Sequence, residues 1–119
     1  MNINFDDQRS ILSIKPTSAL TAEDFNAIST VMDPYIAQHG MLKGVLIDTQ
    51  SFPGWKNIDG FIAHMKFIKN HRTKVQKVAL VTDSKMADFA MKIAGHIAKP
   101  DIKHFPYGQE ALAKQWLAE

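Results

Sequence analysis

The stretch Leu42-Lys43-Gly44-Val45-Leu46-Ile47-Asp48 does most to limit what this chain can fold into. A short apolar run that ends on an aspartate is the pattern of a strand buried on both faces. A second such run, Val78-Ala79-Leu80-Val81, ends on Thr82-Asp83. After the first run, Thr49-Gln50-Ser51-Phe52-Pro53-Gly54-Trp55 sets two large aromatics around a Pro-Gly turn. A strand that hands a loop to a helix N-terminus is where α/β proteins usually place their sites.

Two alternating segments precede this centre. Met1 to Phe5 and Arg9 to Lys15 predict two strands, and Asp6-Asp7-Gln8 between them predicts a turn, giving an N-terminal hairpin. Pro16 stops the second strand. Thr21 and Asp24 have capping-box spacing, opening a helix with Phe25, Ile28, Met32, Tyr35 and Ile36 on one face. Pro34 inside it is expected to kink or divide the helix, and His39-Gly40 to end it. Asn57 is the expected N-cap of a second helix whose core stripe is Ile58, Phe61, Ile62, Met65 and Ile68. Asp83-Ser84 is expected to cap a third, with Met86, Phe89, Ala90, Ile93 and Ile97 inward and Met91 off that face. Ile102 to Phe105 predicts a short strand, and Gln109 to Ala118 a last helix with Leu112 and Trp116 inward. The order ββαβαβαβα predicts an α/β fold: a mostly parallel mixed sheet flanked by helices, with the first strand an antiparallel edge. No repeat, linker or low-complexity tract divides residues 1–119, so a single domain is expected.

A chain of 119 residues with 45% apolar and 22% charged side chains has enough of both for a core and a solvated surface. It has no cysteine, which excludes disulfides and thiolate chemistry. No apolar run approaches the roughly 18–20 residues of a membrane span, and the N-terminus lacks the pattern of a signal peptide. A cytoplasmic location without stable membrane insertion is the expectation. A net charge of +2 gives no sign of nucleic-acid binding. One stretch is locally basic: no carboxylate falls between Asp59 and Asp83, while Lys66, Lys69, Arg72, Lys74 and Lys77 do. Cations at a helix C-terminus are the simpler account, and an anion-binding or membrane-surface patch the sharper one.

The element order, Val45 to Asp48, the Phe52-Pro53-Gly54-Trp55 loop, Val78 to Asp83, Ala111-Leu112 and Trp116-Leu117 together resemble the small bacterial SpoIIAA-like proteins. These are relatives of the sulfate-transporter and anti-sigma-factor-antagonist (STAS) domains. The resemblance runs over essentially the whole chain and implies a regulatory, non-enzymatic module. In the antagonists a serine in an Asp-Ser-Ser-Gly-Leu setting is phosphorylated at the start of the helix after the central strand. The matching residues here are Asn57-Ile58-Asp59-Gly60-Phe61. Both serines are replaced, so the resemblance does not carry over the phosphorylation switch. Asp59 offers one negative charge there, as a partial mimic of phosphoserine or as a first-turn carboxylate favoured by the helix dipole.

Catalytic and metal sites find little support. His64 and His71, seven residues apart, are separated by roughly 10.5 Å along a helix, too far to share a zinc. His39, His96 and His104 form no ligand spacing, so neither metal nor cofactor is expected. Asp48 and Asp83 end two neighbouring strands, and a close carboxylate pair would split its pKa values for acid–base work. No nucleophile accompanies them, since Ser51 and Ser84 lack a nucleophile-elbow setting. An enzyme using Asp48 and Asp83 is therefore the weakest reading.

Helical geometry places Phe67 off the expected core stripe, near His64. Phe52, Trp55, Asp59, His64 and Phe67 are accordingly the candidate binding residues, forming a patch around the loop 49–57 and the helix after it. The leading expectation is a module that binds a protein partner, or a second copy of itself, through that patch. The alternative is a carrier or sensor of a small apolar ligand, by analogy with the related CRAL-TRIO lipid-binding domains. A carrier needs an enclosed cavity of roughly 300 Å³ or more.

Overall fold

A computed structural model describes all of residues 1–119. Its strands are β1 (Asn2–Asp6), β2 (Ile11–Lys15), β3 (Leu42–Asp48), β4 (Val75–Val81) and β5 (Asp101–Phe105). Its helices are α1 (Ala22–His39), α2 (Ile58–His71), α3 (Met86–Ala94) and α4 (Glu110–Ala118), with a single 3₁₀ turn at Arg72–Lys74. The strands form one mixed sheet in the order β1-β2-β3-β4-β5. β1 runs antiparallel to β2, with Ile3 opposite Ile14, and every later pair is parallel. The element order matches the expectation, and β3 is the middle strand.

The three parallel crossovers all step the same way along the sheet, so a common hand places α1, α2 and α3 on one face. The core on that face contains Leu12, Ile14, Phe25, Ile28, Met32, Ile36, Val45 and Val75. On the other face α4 covers Ile11, Leu46, Ala79, Val81 and Phe105 with Ala113 and Leu117. Val45 and Leu46 thus point into different cores, which is why that run shows no polar alternation. Ile47 is half-buried, less enclosed than its neighbours. Gly44 lets α4 approach, since a Cβ there would stand 2.9 Å from the Leu117 side chain.

Several local signals form as their chemistry dictates. Thr21 Oγ1 accepts from the Asp24 amide at 3.1 Å, and Asp24 Oδ2 accepts from the Thr21 amide at 2.9 Å. Asn57 Oδ1 accepts from the Gly60 amide at 3.0 Å, and Gly40 ends α1 with φ 86°. α1 runs undivided through Pro34, which lies on its exposed side, where water can serve the carbonyl that proline leaves without a donor. Of the two expected outcomes, a kink or a division, the division does not occur. The cap of α3 is also weaker than expected. Ser84 Oγ accepts from the Met86 amide at 3.3 Å, while Asp83 turns away to accept from the Tyr107 amide at 3.1 Å.

Candidate functional site

The site begins at Leu20, just before α1. Its amide donates to the Gly54 carbonyl at 2.8 Å, and its carbonyl accepts from the Lys56 amide at 2.9 Å. This short parallel bridge of Leu20 with Trp55 pins the loop after β3 against the start of α1. The first turn of α2 is pressed onto the same backbone. A Cβ on Gly60 would lie 2.5 Å from the Leu20 carbonyl oxygen, so only glycine permits the contact.

That contact fixes which side of α2 faces inward, and it is not the expected one. Gly60, Ala63, His64, Phe67 and His71 pack toward α1. The predicted core stripe of Ile58, Phe61, Ile62, Met65 and Ile68 faces outward instead, Ile58 being 67% exposed. α3 and α4 show the same correction. Ala87 and Ala113 are buried, while Met86, Phe89, Ile93 and Leu112 are exposed and Trp116 is half-buried. In α2 and α3 small residues bring the helix close to its support and the bulkier stripe is left on the surface, whereas α4 seats Ala113 with the large Leu117, and Trp116 packs beside them against the same core as expected.

Four of the five candidate residues join one aromatic cluster. Phe52 meets Trp55 edge-on at 5.0 Å between ring centroids, and Trp55 meets Phe61 edge-on at 4.9 Å. The Trp55 indole N–H donates to His64 Nδ1 at 3.1 Å, and Phe25 stacks on the His64 ring at 4.7 Å. Accepting at Nδ1 leaves His64 its proton on Nε2, the neutral tautomer. Burial likewise pushes its pKa below the ordinary histidine value. Phe67 packs against Phe25 and stacks on His71, whose Nε2 lies 2.7 Å from Asp33 Oδ1 on α1. Phe52, Trp55 and Phe67 are thus half-buried against the core, and Phe67 belongs to the packed side of α2. Asp59, the fifth, is exposed in the first turn, where the dipole favours a carboxylate.

Asp48 and Asp83 do not form a pair. Asp83 is exposed and occupied with the turn before α4. Asp48 is buried, and its carboxylate neighbour is Glu110, with Lys15 Nζ 3.7 Å from Asp48 Oδ2 and 3.7 Å from Glu110 Oε2. Burial raises the Asp48 pKa above the usual carboxylate range, helped by Glu110 and opposed by Lys15. Its other oxygen, Oδ1, is buried without a hydrogen-bond partner. Nothing in the sequence pointed to Glu110, which reaches this carboxylate only through the return of α4 under the sheet.

No group of three His, Cys, Asp or Glu side chains is arranged to hold a metal ion. No helix is long and apolar enough to cross a membrane. A depression of about 510 Å³ lies between the β1–β2 turn and α1, lined by Phe5, Val31 and Tyr35 together with Asp7, Gln8, Gln38 and His39. It is open to solvent and mixed in character rather than an enclosed apolar chamber. A smaller one of about 100 Å³, beside Lys15 and Glu110, is lined mainly by polar side chains.

The largest unsatisfied feature is therefore apolar surface. Five large residues of α2 and three of α3 are exposed, more than the scattered single residues normal on a soluble protein. Sequence periodicity found both stripes but assigned them to the wrong side. The missed signal was Gly60 and Ala63, small residues three apart on the face that holds Phe67.

Comparison with curated proteins and with solved structures gave no significant match. The model of one protein family matches residues 11–118, leaving out only β1, the turn after it and the last residue. With its five-stranded mixed sheet and four flanking helices, the chain belongs to the SpoIIAA-like family.

Proposed function

We propose that this protein is a non-enzymatic, STAS-type regulatory module that binds a protein partner through the outer face of α2 and the loop 49–57 leading into it. The observation that carries this reading is the solvent-facing stripe Ile58, Phe61, Ile62, Met65 and Ile68. A helix stabilised by its own packing on α1 has no structural use for a second apolar face, whereas a partner does. Phe52, Trp55, His64 and Phe67 act from beneath, holding the stripe in place, and Trp55 reaches the surface through Phe61. Asp59 borders the stripe, within the stretch 57–61 that resembles the serine-bearing segment of the antagonists. The carrier alternative is less well supported, because the 510 Å³ depression is open and partly polar.

Replacing Ile62 by photoreactive benzoylphenylalanine in the host cell tests the proposal. A discrete protein adduct is expected from position 62 and none from the exposed position 38 on α1. Equal labelling at both positions, or none at 62, would remove the α2 face as the working surface.

A further inference from the structure

The helical layer over the far half of the sheet is incomplete. α2 packs against α1 and α3 against β5, but α2 and α3 make at most marginal contact with each other. The strand residues on that face, Val78 and Leu80 of β4 with Ile102 of β5, are only half-buried. Parallel strands are normally covered on both sides, so this seam lacks part of its cover. Apolar side chains of both helices are exposed on this side of the sheet.

The segment that supplies α2, β4 and α3 is one-sided in charge. Residues 56–99 hold nine lysines and arginines against three carboxylates, a net of +6, while the rest of the chain holds five against nine, a net of −4. Lys66, Lys69, Arg72, Lys85 and Lys92 are exposed, and none of them has a carboxylate within ion-pair distance. Lys77 is the exception in direction, reaching across to the Trp116 carbonyl on the α4 side.

We propose that the occupant of this seam is an acidic amphipathic helix of a partner protein, lying between α2 and α3 and completing the helical layer over β4 and β5. The proposal rests on the docking role of α2 and adds the partner's shape and charge. The apolar stripe of α2 spans eleven residues, about 15 Å, which suits a partner helix of about three turns. An apolar stripe on that helix would cover Val78, Leu80 and Ile102, and its flanking carboxylates would meet the unpaired cations. A second copy bound face to face would set +6 against +6. A bilayer would meet the crests of α2 and α3 but not the strand floor between them.

The test uses the intact protein and a designed 18-residue amphipathic helix carrying a leucine stripe flanked by glutamates. Its twin has lysine for every glutamate, and vesicles of phosphatidylcholine and phosphatidylglycerol at 3:1 serve as the lipid probe. The glutamate peptide is expected to bind at least about tenfold more tightly than the twin, with amide shifts confined to α2, α3 and the ends of β4 and β5. The double change Lys66→Glu with Lys69→Glu should reverse that preference, and Phe61→Ser with Phe89→Ser should abolish binding with the fold retained. Equal affinity for both peptides, no peptide binding, vesicle binding in its place, or sedimentation as a dimer each overturns the acidic helix. A protein adduct from position 62 alongside any of those results would leave the docking role of α2 standing and only the partner's chemistry wrong.

Discussion

Gly60 lies against the carbonyl oxygen of Leu20 so closely that a methyl group would stand 2.5 Å from it. That contact orients α2, and through it decides which apolar residues are core and which are surface. Alanine in place of a helical glycine ordinarily stabilises by about 1 kcal/mol. Here Gly60→Ala should instead cost about 1–3 kcal/mol, because backbone on both sides must shift. Urea unfolding monitored by far-UV circular dichroism checks the sign. An unchanged or increased stability would mean that α2 is not pressed onto Leu20.

The reversed packing of the helices makes a paired prediction. Phe67→Ala removes a ring packed on Phe25 and His71 and should cost about 3 kcal/mol. Phe89→Ser, at a residue 60% exposed, should change stability by no more than about 0.5 kcal/mol. Chemical denaturation of both variants decides it, and equal losses would contradict the assignment of faces.

His64 gives the fold a dependence on pH. Its folded-state pKa lies below the unfolded value of about 6.5, so the unfolded chain binds the extra proton more readily. Its contribution is therefore complete above pH 6.5 and lost as the pH falls toward the folded-state pKa. The slope from this one group cannot exceed about 1.4 kcal/mol per pH unit. His64→Gln should flatten the stability profile below pH 6.5, as read from urea midpoints at each pH. Protonation would also set a ring N–H against the indole N–H of Trp55, so tryptophan fluorescence should report the same transition.

Asp48 works in the opposite sense. Its pKa is raised in the folded state, so its most favourable contribution belongs to low pH and is lost as the pH rises through the folded value. Asp48→Asn keeps the shape and removes a buried charge that the half-exposed Lys15 compensates only in part. The variant should gain about 1 kcal/mol relative to the parent at pH 8, and the gain should shrink toward pH 4. Thermal melts across that range test it, and a gain that grew on acidification would contradict the assignment.

Much of this protein was decided by local chemistry that the sequence displays. Val45-Leu46-Ile47 and Val78 to Val81 read as central strands, because a sheet with helices on both faces is where such unbroken apolar runs belong. Thr21 with Asp24 and Asn57 with Gly60 set helix starts through bonds within four residues. The hairpin and the parallel crossovers follow from that pattern. Which face of a helix is buried was decided otherwise. α2 carries two apolar faces, and periodicity favours the one with the larger side chains. Packing chose the face with Gly60 and Ala63, because close approach to Leu20 and α1 needs small residues more than large ones. The same holds for Ala87 in α3, which seats its helix and leaves Phe89 outside; in α4 Ala113 is buried together with the large Leu117, and Leu112 is left outside. Asp48 meets Glu110 rather than Asp83 for a related reason: 62 residues separate the pair, and only the return of α4 beneath the sheet brings them together. Backbone bonds between near neighbours made the elements readable, and contacts between distant ones chose the surface.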